Sequence, residues 1–590
     1  MMRRHSILLS GVLAAAPATA LAQAIPPAAT PGGSLPRVEP AVPAPENKGE
    51  LLEIPKVHER PASADDAPRI VVKVFRLTGA ADHLERDLRV GDAQAALDAA
   101  LAGQPVTGFS IGQLQEIANS VATLYREHGY ILTQAWLPRQ DVVDGTVTIQ
   151  VLEGQLSDIV VEGNSQYSTR TLERPFAALI GAPVERDSLE AALLTLRNYP
   201  GVTAFGVLGA GRESGSSQLT VRVQSEDRFV LDAALDNYGS QFAGEYRGQL
   251  IFTVNDPLGR ADRLQLIGLY AIDPDDTGNT HGLYGGLDYE IPLFSPRDSL
   301  RFMHLTNAYN VGADAASVTS TDTEGETRVD EIGYRHDFPR TRLGSASVGL
   351  AFNVKSSEFR APPAVLYEDK LTTVRLDAQW NRIDTRFRGS NSIAFSYTRG
   401  FKDLLDSLDD YRANTAGSAS RFGASGEFDK LSLRVQRLQR VTQNASLMFR
   451  MDGQYSSDPL VSLEQFSLGG PDSVRAYSVS EELAEKGGVA TLELALNAPG
   501  FANRPAFDGY SWGQVLQLSL FADYAYGEFN EPRIGSLQES VELSGVGIGV
   551  QFSAPGNFFL RADVATPLSN AEPGNGRDPQ YYARFGASFR

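Results

Sequence analysis

From Phe229 to the end, apolar and polar positions alternate with a period of two, the pattern of strands with one greasy face and one wet face. Between Leu516 and Tyr526, one face carries Leu516, Leu518, Leu520, Ala522, Tyr524 and Tyr526, and the other carries Gln517, Ser519, Phe521, Asp523 and Ala525. Ala445 to Gln454 sets Leu447, Phe449 and Met451 against Ser446, Arg450 and Asp452. Asn557 to Val564 sets Phe558, Leu560, Ala562 and Val564 against Arg561 and Asp563. The last strand sets Tyr581, Ala583, Phe585, Ala587 and Phe589 against Tyr582, Arg584, Ser588 and Arg590. Two surroundings fit this pattern. The apolar faces form the shared core of a soluble sandwich, or they meet lipid around a barrel whose charged faces line a wet lumen. Charges of both signs on the second face, with aromatic strand ends, favour the barrel. Segment counting gives 16 candidate strands, from 229–238 to 581–590, an even number as expected for a single-chain transmembrane barrel. The longest connections fall near 310–327, 400–427 and 456–487, and strand parity puts the third on the extracellular side.

Ahead of the barrel, the pattern changes to mixed α and β. In residues 70–154, Ile70 to Leu77 reads as a strand. Ser110 opens a helix with Ile111, Leu114, Ala118, Val121 and Tyr125 on one face, and two strands follow. Residues 155–227 repeat that order, with a helix over Ser188 to Asn198 that stops before Pro200 and Gly201. Residues 23–69 read as a linker, because Pro26, Pro27, Pro31, Pro36, Pro40, Pro43 and Pro45 exclude a helix ladder. At the start, Arg3 and Arg4 precede an apolar run from Ile7 to Ala16. An Ala20-Leu21-Ala22 site follows, which predicts a signal peptide over 1–22 and export from the cytoplasm.

Composition narrows the chemistry. The 590 residues hold no cysteine, so thiol catalysis and Cys-based metal or disulfide frameworks are excluded. A formal charge of −19 argues against a broad nucleic-acid surface. Gly108, Ser110 and Gly112 match the G-x-S-x-G pattern of serine hydrolases. Gln113, three residues after Ser110, completes a capping box instead, and the large parallel sheet that a hydrolase elbow needs is missing from the pattern. Asp273, Asp275, Asp276, Asn279 and His281 lack the spacing of a calcium loop. No phosphate-binding loop, cofactor motif or metal site is read, and the chain is not expected to be an enzyme.

Several segments are similar to one family, the outer-membrane transporters of two-partner secretion. These comprise the hemolysin secretion/activation and filamentous-haemagglutinin transporters of the wider Omp85 superfamily. The loop Leu468-Gly-Gly-Pro-Asp-Ser-Val-Arg-Ala-Tyr477 resembles the family's loop-six motif, and Phe521-Ala-Asp523 resembles its Phe-x-Asp strand motif. The first barrel hairpin, Leu235 to Leu264, looks like the family's opening barrel sequence. Val147 to Gly154 and Leu193 to Val202 resemble parts of its two periplasmic POTRA domains. Three departures stand out. Ala476 replaces the usual Gly of the loop, Arg590 follows the usual terminal aromatic, and the plug helix of some members is not evident in the Pro-rich N-terminus.

The resemblance implies a transmembrane β-barrel (228–590, about 16 antiparallel strands) behind POTRA domains at 70–154 and 155–227, in the outer membrane of a Gram-negative bacterium. It implies transport of an unfolded exoprotein carrying an N-terminal secretion domain, taken up by the POTRA domains, conducted through the barrel and, for a hemolysin-like client, activated. Outer-membrane lipid and, during biogenesis, the barrel-assembly machinery are its other expected partners; nucleic acid is not. The expected functional centre is a loop-six anchor of Val474, Arg475, Ala476 and Tyr477, folded back onto a barrel-wall pair, Phe521 and Asp523. The alternation alone puts Asp523 in the lumen, where a desolvated charge needs a partner. Arg450 and Arg561 remain open as partners beside Arg475. The alternative function is an Omp85-type assembly or insertion factor.

Overall fold

The structure is a computed structural model that describes residues 26–37, 51–54, 69–213, 215–274, 280–311, 323–415, 417–531, 538–554 and 557–590. The expected signal peptide, Asp275, Asp276 and Asn279 lie outside these residues.

The C-terminal part is a closed barrel of 16 strands, each antiparallel to its neighbours. Strands β1 to β4 are Phe229–Asp236, Tyr246–Asn255, Arg263–Ile272 and His281–Pro292. Strands β5 to β8 are Asp298–Val311, Thr323–Asp337, Gly344–Ala361 and Ala364–Asp384. Strands β9 to β12 are Gly389–Phe401, Asp429–Arg440, Ala445–Tyr455 and Lys486–Asn497. Strands β13 to β16 are Leu516–Glu528, Ser540–Ala554, Phe558–Pro567 and Gln580–Phe589. Closure comes from β16 on β1, with Arg584 opposite Asp236 and Phe589 opposite Leu231.

Alternation sorts the two faces. Leu518, Leu520 and Tyr524 are exposed outward, whereas Phe521 and Asp523 of the same strand are buried inward. Among the described residues no helix is long and apolar enough to cross a membrane. Strands β7 and β8 run 18 and 21 residues, beyond the segments expected at 345–355 and 370–381. Their upper parts, around Lys355–Glu358 and Glu368–Lys370, are polar on both faces. A hairpin standing in water needs no apolar outer face, so the alternation that marks the membrane span stops before the strands do.

Two α/β units precede the barrel. In the first, Val74–Thr78 pairs parallel with Thr146–Leu152, and Gln134–Trp136 pairs antiparallel on its other side. Helices Val90–Ala102 and Ile111–Glu127 pack there over a core of Phe75, Leu97, Leu114 and Ile149. The second has strands Gln155–Glu162, Val202–Ala210 and Ser216–Glu226 with helix Arg186–Leu196. It docks against the barrel's periplasmic turns. Arg342 holds Glu190 with two hydrogen bonds of 2.7 and 2.9 Å, and Arg174 donates to the Leu293 carbonyl at 2.6 Å.

Parts of the Pro-rich stretch 23–69 are built into the fold. Leu52 and Glu53 add a short parallel strand to the edge of Val202–Ala210, opposite Gly206 and Val207. Residues 26–37 lie in the lumen as two single turns, Pro27–Ala29 and Pro31–Ser34, and not as a plug helix. Neutral hydrogen bonds hold the two turns, Tyr309 Oη to the Ala29 carbonyl at 2.8 Å, Ser240 Oγ to that of Ala28 at 2.6 Å and Ser480 Oγ to that of Gly33 at 2.9 Å, and beyond them the half-exposed Arg37 lies 3.9 Å from Asp472.

Candidate functional site

The connection between β11 and β12 folds back into the lumen. A small hairpin, Phe466–Leu468 against Glu482–Ala484, forms its neck. Gly469 and Gly470 follow with φ of 94° and 100°, a region that favours glycine. A Cβ on Gly469 would also lie 2.5 Å from the Ser478 carbonyl oxygen. These glycines let the chain reverse and carry Val474 to Tyr477 to the inner wall, where all four residues are buried.

Arg475 is the centre of the contact. Its Nε donates to Asp523 Oδ2 at 2.9 Å and its Nη2 to Asp523 Oδ1 at 2.9 Å, a bidentate pair. Its backbone N–H donates to the same carboxylate at 3.2 Å. Nη1 donates to Glu493 Oε2 on β12 at 2.8 Å and lies 3.8 Å from Asp563 Oδ1 on β15. The guanidinium carbon sits 3.2 Å from the Phe521 ring centroid. Arg561 completes the group, bonding Asp563 at 2.7 Å and Glu493 at 3.2 Å. The Arg475 and Asp523 side chains are only 4% and 1% exposed. Removing Arg475 takes away the cation paired with Asp523, whereas removing Asp523 leaves Arg475 with Glu493 and Asp563; breaking a buried pair costs about 3–5 kcal/mol.

This geometry sorts the partners left open above. Arg475 reaches Asp523; Arg561 serves Asp563 and Glu493; Arg450 reaches the Asp472 carbonyl at 2.5 Å and Asp452 at 3.3 Å. Val474 and Tyr477 pack beside them in one apolar cluster with Phe521. Tyr477 Oη shares a 2.6 Å hydrogen bond with Ser569 Oγ, and Tyr582 Oη donates to the Tyr477 carbonyl at 2.7 Å. Ala476 keeps a negative φ, so its methyl needs only space. Gly545 on β14 provides that space. Gly547, the next inward position, leaves room for Phe521, because a Cβ there would lie 2.4 Å from the ring.

Sequence reading missed Glu493. Its signal was a carboxylate on the inward face of an otherwise apolar strand, the same signal that pointed to Asp523. The reading also missed two tethers at the loop's legs. Glu464 lies between Lys355 Nζ at 2.6 Å and Lys430 Nζ at 2.5 Å, from β7 and β10. Glu485 accepts from Arg421 Nε at 3.1 Å, in the connection between β9 and β10. These partners lie far apart in sequence, and no local pattern joins them. Ser110 is a helix cap: its Oγ accepts from Gln113 N–H at 3.2 Å and its own N–H donates to Gln113 Oε1 at 2.9 Å. Among the described residues no cluster of His, Asp or Glu could hold a metal ion.

Comparison with known proteins identifies the family. Residues 215–552 match the family of haemolysin secretion/activation proteins ShlB/FhaC/HecB, and residues 91–154 match the ShlB-type POTRA domain. The heme/hemopexin transporter protein HuxB of Haemophilus influenzae is 26% identical over 78% of each chain. The hemolysin transporter protein ShlB of Serratia marcescens is 24% identical over 72% of this chain and 76% of its own. The solved structure of CdiB from Escherichia coli shares the fold with a TM-score of 0.66 at 18% identity, covering 90% of this chain and 93% of that one. The chain belongs to the ShlB/FhaC/HecB family and is an outer-membrane transporter of two-partner secretion, with its POTRA domains in the periplasm.

Proposed function

We infer that this transporter takes up an unfolded exoprotein through its POTRA domains and conducts it through the barrel to the cell surface. The observation that carries this reading is the buried Arg475–Asp523 pair, which ties a long extracellular loop to the inside of a barrel fed by two periplasmic α/β units. The sheet edge along Val202–Ala210 already accepts an extended segment, Leu52–Glu53. An unfolded client engages the remaining POTRA edges in the same way, by main-chain hydrogen bonds.

A client also needs a path. The loop is held by buried ion pairs at its tip and both legs, whereas the N-terminal turns are held by neutral hydrogen bonds worth about 0.5–1.5 kcal/mol each. Opening therefore starts at the N-terminal turns while the loop stays anchored. Folding of the client outside the membrane gives direction, and no catalytic step is required. Relatives named for heme/hemopexin and for hemolysin transport set the client classes to try first.

The test is co-expression with a candidate exoprotein bearing an N-terminal secretion domain, reading client at the surface and in the medium. The reading predicts release only when the transporter is present. If the inserted barrel releases no client, and its removal instead lowers other barrels in the membrane, the chain is an assembly factor.

A further inference from the structure

The connection between β12 and β13, residues 498–515, lies on the periplasmic rim and runs 18 residues. The other turns on that rim run three to seven. The added length is an ordered element. Trp512 N–H donates to the Arg504 carbonyl at 2.9 Å, Gly513 N–H to that of Ala502 at 2.8 Å and Ala506 N–H to that of Tyr510 at 2.8 Å. The chain reverses at Asp508 and Gly509, with φ of 49° and 78°. A single helical turn, Trp512–Val515, leads back into β13.

This element folds outward over the lower end of the barrel's apolar outer wall. Phe552 on β14 and Phe558 on β15 belong to the outward faces, in line with the exposed Val550 and Leu560. Phe507 lies on both, with ring centroids 5.9 and 6.0 Å away. Trp512 lies 6.3 Å from Phe552 and 5.8 Å from Phe501, and Tyr510 lies 6.1 Å from Phe507. The six rings form one platform, and each stays partly exposed. Neither Tyr510 Oη nor Trp512 Nε1 has a hydrogen-bond partner among the described residues.

Such a platform suits one medium. Water leaves the ring faces unsatisfied, and hydrocarbon leaves the phenol and indole tips without partners. The headgroup–acyl boundary satisfies both, which is why Tyr and Trp collect there. The rings also continue a wall that already meets lipid. The exposed charges of the element, Arg504 and Asp508, are one of each sign, so it has no net field to draw a charged partner. The second POTRA domain meets the rim elsewhere, at Gly259, Leu293 and Arg342, below β2 to β7. The platform lies on the opposite side of the ring, below β12 to β15.

We propose that residues 498–515 form an interfacial anchor, whose rings lie at the headgroup–acyl boundary of the periplasmic leaflet against the uncharged part of its phospholipid. The anchor gives β12 to β15, the strands that surround Arg475 with Glu493, Asp523 and Asp563, a fixed point in the bilayer on the side that the POTRA domain leaves free.

The chain has three tryptophans, Trp136, Trp380 and Trp512, which makes the depth measurable. Trp136→Phe with Trp380→Phe leaves Trp512 as the sole indole. Trp380→Phe with Trp512→Phe leaves Trp136, in the first POTRA domain, as the control. Each full-length variant, shown to be folded by heat-modifiable gel mobility, is placed in phosphatidylcholine vesicles with bromines either high or low on the acyl chains. The proposal predicts that Trp512 is quenched at least twofold more by the high bromines than by the low ones, and that Trp136 is quenched by neither. Trp512 emission that neither bromine changes, or that the low bromines quench more, overturns it.

Phe507→Ser with Tyr510→Ser, in the protein whose sole indole is Trp512, removes the outer rings. It is expected to lower quenching by the high bromines at least twofold in a barrel of unchanged gel mobility. Quenching at the parent level would show that Trp512 reads only the wall beside it, and overturns the anchor. No client is present in these measurements, so they do not depend on the transport reading. If Trp512 emission responds to an added unfolded client segment and to neither bromine, the platform is a client contact and the proposal falls.

Discussion

Ala476 and Gly545 share one space: a Cβ on Gly545 would lie 2.5 Å from the Ala476 methyl. The methyl at the loop tip is accommodated because the facing barrel strand has no side chain at that position. Gly545→Ala therefore overpacks the contact, at a cost of about 1–3 kcal/mol. Secretion is expected to fall, and Gly545→Ala with Ala476→Gly is expected to restore it. Quantitative immunoblotting of the released client for the three variants checks this. A loss that the second substitution does not repair would place the effect in β14 itself.

Arg475→Lys keeps the charge but replaces the planar fork with a single ammonium. One amine cannot reproduce the paired bonds to Asp523 together with the bond to Glu493. The variant is expected to insert normally, to secrete several-fold less, and to show more open bursts in planar bilayers as the tip escapes. A closed channel at the parent level would argue that charge alone holds the loop.

Glu464→Gln removes the carboxylate between Lys355 and Lys430 while keeping its shape. It leaves two cations facing each other in a buried site, a change of about 3–5 kcal/mol in comparable pairs. The expected outcome is a leakier barrel, read as higher uptake of a bulky antibiotic by cells, with the Arg475 anchor still in place. Unchanged permeability would show that the leg tether does not help to close the lumen.

Ser110→Ala separates the cap from the hydrolase motif it imitates. Loss of the cap costs about 1 kcal/mol. Protease cleavage within the first POTRA domain of the full-length protein is expected to rise modestly, with client release unchanged at ordinary growth temperature. Loss of release with an intact domain would mean that the hydroxyl does something other than cap a helix.

The barrel was legible because its outer face is solvated by lipid. That forces an apolar residue at every second position, as Leu516 to Tyr526 shows, and all 16 expected strands are present in order. Asp523 was legible for the converse reason, a charge on the hidden face of an apolar strand. Its pairing with Arg475 came from the family's motifs and not from any pattern in the chain, since 48 residues separate the two. The ion pairs of Glu464 and Glu485 were not legible, because each joins separate segments only after closure of the barrel. The lumenal turns at Pro27–Ala29 and Pro31–Ser34 were hidden by composition. Proline and glycine speak against long helices, but say nothing of single turns held by partners such as Tyr309 and Ser480.

The central claim is that a buried Arg475–Asp523 pair holds the loop in the state needed for transport. The most direct measurement is client release from Arg475→Ala, Asp523→Ala and the double variant, with insertion verified for each. The account predicts that each single change lowers release at least tenfold and that the double variant is no worse than either, since both remove the same contact. Release at the parent level from both single variants would contradict it.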